Sequence, residues 1–160
     1  MTTYNVLPQT TRVWIYQRNR TFTKVELPEI QIKIQQFAKA WVSHSNQLQA
    51  AAQIRHDRFV ILMVDESQAG ASGCSIDSSV RFMQQLGQEY KVDFFNRMLF
   101  AYQKGEEVYS VDRMKFAALY KSGEINDATL VFDTLVNNKG DLDTKWLKPL
   151  SESWHRRMVS

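Results

Sequence analysis

The chain is poor in residues that build covalent or metal-bound frameworks. One cysteine, Cys74, stands among 160 residues, so no intramolecular disulfide can form. A reducing compartment and a cytoplasmic location are the default expectation. No window approaches 18 consecutive apolar residues, which excludes a membrane-spanning helix. The opening MTTYNVLPQTTRVW lacks the charged start and apolar run of a secretory signal, so none is expected. No H-E-x-x-H, H-x-x-E-H or cysteine-pair spacing is present, so neither a metal site nor an obligatory cofactor is expected. Internal repeats and low-complexity tracts are lacking too.

Charge of one sign is scarce. The formal net charge is +3, with 23% charged and 44% hydrophobic residues, an ordinary balance for a globular domain. Residues 1–65 carry 8 Lys/Arg against 4 Asp/Glu, while the rest is nearly neutral. That excess permits an acidic partner without demanding one.

Periodicity supplies the elements. RVWIYQ at 12–17 predicts a strand with Val13 and Ile15 on one face and Trp14 and Tyr16 on the other. Ile30, Ile34, Phe37, Ala38 and Trp41 fall on one helical face and predict a helix over about 28–47. Runs at 51–56 and 59–65 read as a hairpin. A second helix is expected at about 75–89 with Ser75 as its cap and Ile76, Val80, Met83 and Leu86 as its inner stripe. Strands at 98–103 and 107–110, a helix at 111–121, a strand at 130–136 and a short helix at 153–158 follow, with a turn-rich break at 137–141. Met63, Met83, Met98, Met114 and Trp41 read as core, and His44, His56 and His155 as surface residues.

The order through residue 103 is β-α-β-β-α-β. The expected fold is therefore α+β: a ferredoxin-like antiparallel sheet of four strands over residues 1–96 and the strand after them, with helices on one face. A small β-β-α extension over 97–160 is expected to pack on that sheet or continue it.

Candidate chemistry concentrates at 65–79, where a strand ends in Asp65 and Glu66 and a loop of small residues leads into a helix. Backbone amides and hydroxyls of Ser72, Gly73 and Ser75, with Asp65, Glu66 and Arg81 nearby, form the candidate ligand or anion site. Cys74 is the candidate nucleophile, because a thiol at a helix start gains thiolate character. It needs a base that only the fold could bring, and Arg81 stands seven residues on, not the six of a C-x5-R phosphatase loop. An RNA-binding alternative rests on Trp14 and Tyr16 as a stacking surface, with Arg12 and Arg20 beside them.

The segments RVWIYQRNR, VDESQAGASGCSIDSSVRF, VDFFNR and SGEI…TLVFDTLV resemble a family of small Bacteroidetes proteins often labelled "ABC transporter ATPase". That label implies nucleotide hydrolysis, which needs G-x-x-x-x-G-K-[ST] to cradle phosphates. The nearest cluster, Gly70-Ala71-Ser72-Gly73, has neither the spacing nor the lysine, so no catalytic residue is carried over. Residues 100–136 and the later Trp146 are weakly similar to GYF-like modules. That similarity implies binding of proline-rich peptides through aromatics, but Tyr109-Ser110 stand where Gly-Pro would follow the hairpin.

These observations favour a non-catalytic binding or accessory protein with its site in the 65–79 loop, taking an unidentified protein or a small anionic ligand. A cysteine-dependent or anion-activating enzyme using Cys74 is the alternative, and an RNA-binding module the second.

Overall fold

The structure, a computed structural model, describes residues 4–159. Strand β1 (Arg12–Gln17) leads through a loop to helix α1 (Glu26–Ala40), which buries Ile30, Ile34 and Ala38. The helix stops well short of the expected residue 47. Trp41 is already extended, and β2 (Val42–Ser43) and β3 (Asn46–Gln47) form a small ribbon around His44 and Ser45, both at positive φ. Strands β4 (Gln49–Arg55) and β5 (Phe59–Asp65) make the expected hairpin, turning through His56 and Asp57 in the left-handed region. Helix α2 (Gly73–Tyr90) follows, capped by Ser72 rather than Ser75. β1, β5 and β4 form one antiparallel sheet in that order.

Every side chain from Phe59 to Val64 on the central strand β5 is 0% exposed. Val60, Leu62 and Val64 pack with Ile30, Ile34, Met83 and Leu86 beneath the two helices. Phe59, Ile61 and Met63 point the other way and need a second cover. Strands β6 (Leu99–Lys104), β7 (Glu107–Asp112), β8 (Leu130–Phe132) and β9 (Leu147–Pro149) supply it, as a sheet of order β7-β6-β8-β9. Ala101, Val108 and Phe132 of that sheet pack on Phe59, Ile61 and Met63, with Leu142 and Trp146 beside them. Its outer face carries Phe100, Tyr102 and Val131 against Phe116 of helix α3 (Arg113–Ser122), while helix α4 (Lys139–Lys145) sits beside β1.

This arrangement corrects the four-stranded ferredoxin-like sheet. The strand expected in the fourth place, β6, pairs with β7 and β8 instead, and the fold is α+β with two antiparallel sheets face to face. Energetics favour that choice. Leaving Phe59, Ile61 and Met63 in water would cost about 1.5–3 kcal/mol each. A strand edge left open loses only hydrogen bonds that water largely replaces, about 0.5–1.5 kcal/mol each.

Other differences are local. Helix α3 starts at Arg113, capped by Asp112, rather than at about residue 111, and it leaves Met114 85% exposed and turns Phe116 inward. Met98 is likewise exposed. The break at 137–141 holds Asn138, whose side chain accepts from Asp141 N–H and starts α4. The terminal segment is a 3-10 helix. Of the three histidines expected at the surface, His44 and His56 are exposed, His56 with one side of its ring against Phe59, Phe132 and Trp146, while His155 is buried beneath Trp154 beside Phe100 and Phe116. Among the described residues, no helix is long and apolar enough to cross a membrane.

Two measurements check this packing. Gly87 closes the end of α2, where its carbonyl accepts from Val92 N–H at 2.8 Å and an added Cβ would lie 2.4 Å from Val92 O. Gly87→Ala should cost about 1–3 kcal/mol in chemical denaturation. Gly73→Ala, whose Cβ meets nothing within 4 Å, should stay within about 0.5 kcal/mol. The second concerns His155, which is 1% exposed and held down at about 4 by burial, with Lys148 adding to the effect and Asp133 opposing it. The unfolded chain, with an imidazole near about 6.5, binds the proton first. Stability should therefore fall as pH drops from about 6.5 towards 4, by up to about 1.4 kcal/mol per pH unit beyond the slope of a His155→Gln variant. Equal slopes for the two proteins would refute a buried neutral imidazole.

Candidate functional site

The missing fourth strand leaves a consequence at β1. Arg18 N–H donates to Arg58 O at 2.9 Å on the β5 side, so the N–H and C=O groups of residues 13, 15 and 17 alternate to the outside. At one end this outer edge is already taken. Val13 N–H donates to Asn137 O at 3.0 Å, and Lys139 N–H donates to Thr11 O at 2.8 Å, with Arg12 bridged to Asn138 in antiparallel register. Beyond Val13 no described strand pairs with the edge, and Ile15 and Gln17 carry it on.

That open edge forms the floor of a cleft of about 400 Å³. One wall is 94–97, where Phe95 meets the Tyr16 ring edge-on at 5.4 Å. The other wall is 134–137, which holds Leu135 and Val136, and Trp154 and Val80 complete the lining. Phe95 is 41% and Leu135 68% exposed, so large apolar groups stand in water on both sides of an unpaired strand. The walls are fixed. Asp93 accepts from Phe95 N–H, and Asp133 accepts from Leu135 N–H, Trp154 Nε1 and Lys148 Nζ. At the Gln17 end a polar bolt ties the sheets: Gln17 Nε2 donates to Leu99 O, Ser110 Oγ donates to Gln17 Oε1, and Arg58 Nη1 donates to Ser110 Oγ.

The residues singled out at 65–79 are spent on the loop itself. Asp65 Oδ1 accepts from Ser67 N–H at 3.0 Å. Glu66 Oε2 accepts from Ala71 N–H at 2.8 Å and lies 3.9 Å from Arg12 Nη1. Ser72 and Ser75 form a reciprocal capping box, each hydroxyl accepting from the other's N–H, and Ile76 N–H donates to Ser72 O. The amides that would greet an anion at Ser72, Ser75 and Ile76 thus have protein acceptors. Gly73 and Cys74 are exposed at the first turn. Arg81 is exposed about 13 Å further along the helix axis, at about 1.5 Å per residue, so it does not converge on Ser72. No hydrogen bond joins Cys74 to a histidine among the described residues, although Trp41 Nε1 donates to Ser75 O and brings the ribbon carrying His44 against α2. Among the described residues, no group of three or more His, Cys, Asp or Glu is placed to hold a metal ion.

The aromatics chosen for RNA sit differently from an RNA-stacking sheet. Trp14 and Tyr16 lie on the helix side, partly buried, with Trp14 5.6 Å from Trp41. The sheet face opposite the helices, where bases would stack, is covered by the second sheet. Arg12 lies over the Trp14 ring at 4.8 Å, and Arg20 is exposed in the loop before α1. Tyr16 and Trp14 nonetheless belong to the cleft, together with Phe95, Arg97 and Leu135, which sequence reasoning had not singled out. The available signal was VDFFNR, an apolar pair in a polar turn.

Comparison with protein-family models, with curated proteins and with solved structures finds no match for the chain.

The capping role of the 65–79 loop is testable. Ser72→Ala should cost about 1 kcal/mol, since it orphans a helix amide. Cys74→Ser, at an exposed position, should change stability by less than about 0.5 kcal/mol in the same urea titration.

Proposed function

We propose that this chain is a non-catalytic binding protein that accepts an extended peptide segment on the open edge of β1. The observation that carries the proposal is the coincidence of an unpaired strand edge, a cleft and exposed apolar walls along residues 13–17. A peptide added there gains main-chain hydrogen bonds from Ile15 and Gln17, as in β-augmentation, and alternating pockets for its side chains. Tyr16, Phe94, Phe95 and Val80 offer contacts on the helix side, and Ile15, Leu135, Val136 and Trp154 on the other. About four residues of extended chain, roughly 13 Å, fit between Asn137 and the Gln17 end.

The 65–79 loop, favoured by the sequence, takes second place because its polar groups already bond one another. Amide chemical-shift mapping with a mixed library of blocked random pentapeptides decides between them. Shifts are expected at 13–17, 94–97 and 134–137, and Leu135→Ala should weaken the response about fivefold or more. Shifts centred on 65–79, or none at all, would overturn the cleft.

A further inference from the structure

The cleft carries one charge. Of the described residues that line it, Arg97 alone is ionised, and no carboxylate is among them. Arg97 is exposed, and none of the ion pairs among the described residues involves it. The acidic residues nearest in sequence to the two walls are engaged elsewhere: Asp93 accepts from Phe95 N–H, and Asp133 is held by Lys148, Leu135 and Trp154. Arg12, at the opposite end of β1, is occupied by Glu66 and by the Trp14 ring. The free positive charge therefore sits at one end only. That end is fixed by the chain, because Phe95 packs on Tyr16 and Leu99 O accepts from Gln17 Nε2, with Arg97 between them in sequence.

From this asymmetry we infer that the cleft selects extended peptides bearing a carboxylate at the end that lies beside Gln17, with Arg97 as the group that reads it. The inference rests on the peptide-binding proposal above and names the chemistry of its partner. A guanidinium with no ion-pair partner among the described residues gives a carboxylate a bidentate, charge-assisted contact that a neutral amide cannot match. Apolar positions along the rest of the peptide meet Phe95, Leu135 and Val136, where a charge would lose its hydration without compensation. The carboxylate can come from an aspartate or glutamate side chain or from the peptide's own C-terminus. In an antiparallel addition, which continues the pairing begun by Asn137 and Lys139, the peptide's first residue lies beside Gln17, so a side-chain carboxylate is the expected source.

Pools of random pentapeptides with one fixed position test this directly. The pools carry Glu, Gln or Lys as the first residue with both ends blocked, and a further pool carries no acid but has a free C-terminal carboxylate. Binding is read from the amide shifts of residues 13–17. The Glu pool should titrate wild type at about 5–10-fold lower concentration than the Gln pool, and the Lys pool should be weakest. Raising the salt concentration should shrink that advantage. Arg97→Gln should abolish it, so that the Glu and Gln pools titrate alike, and Arg97→Lys should restore part of it. An advantage confined to the free-carboxylate pool would overturn the side-chain source and assign the C-terminus. Equal titration by all pools would overturn the role of Arg97 while leaving peptide binding intact. No edge shifts with any pool would overturn both.

Discussion

The structure depends on a strand that no single layer can cover. From Phe59 to Val64, β5 presents only large apolar side chains, and alternation sends half of them to each side of the sheet. One side takes α1 and α2. The other must take something else, and the chain supplies a second sheet whose Ala101, Val108 and Phe132 fill that face. Most of the molecule's architecture follows from this two-sided burial. Each side chain buried there contributes about twice what a single edge hydrogen bond does.

The same demand creates the site. Because β6 is drawn into the covering sheet, it is not available to pair with β1. The loops that carry the chain away from α2 and away from β8 then pass on either side of β1 and become walls. Residues 137–139 begin to fill the edge and stop after Val13, since the chain turns away through Asp133 to Val136. Natural sheets usually blunt an open edge with charge, proline or a cover. Here the edge instead lies in a cleft, with aromatic and aliphatic side chains beside it. Arg97 adds a sign to that shape. The Arg58–Ser110–Gln17 bolt keeps the two sheets, and hence the two walls, in fixed relation at the end where the charge sits.

Legibility in the sequence was uneven, for physical reasons. Strand β1, the β4–β5 hairpin and the stripe of α1 depend on local alternation and were read within a few residues, whereas α2 buries Ser75 and Ser79 in place of the expected Ile76 and Val80 ahead of Met83 and Leu86. Ends were read less well where a cap decided them. Ser72 displaced Ser75 because the pair can bond reciprocally, and α3, expected from about residue 111, begins at Arg113 because the Asp112 carboxylate caps it through Lys115 N–H. Met114 and His155 were misplaced because periodicity shows which residues share a face but not which face is covered. The 65–79 loop looked like a site because small polar residues suit anion binding and helix capping equally. Only the hydrogen-bond partners of Glu66, Ser72 and Ser75 separate the two.

The sequence by itself determined that 59–65 would be one arm of a hairpin, that two amphipathic helices would cover one face of its sheet, and that no intramolecular disulfide would tie the chain. It could not determine where β6 pairs, because strand pairing is a contest between distant segments for the same apolar face and the same edge. Tertiary structure decided that contest for the face. The open edge, its apolar walls and the lone charge of Arg97 are what the decision left behind.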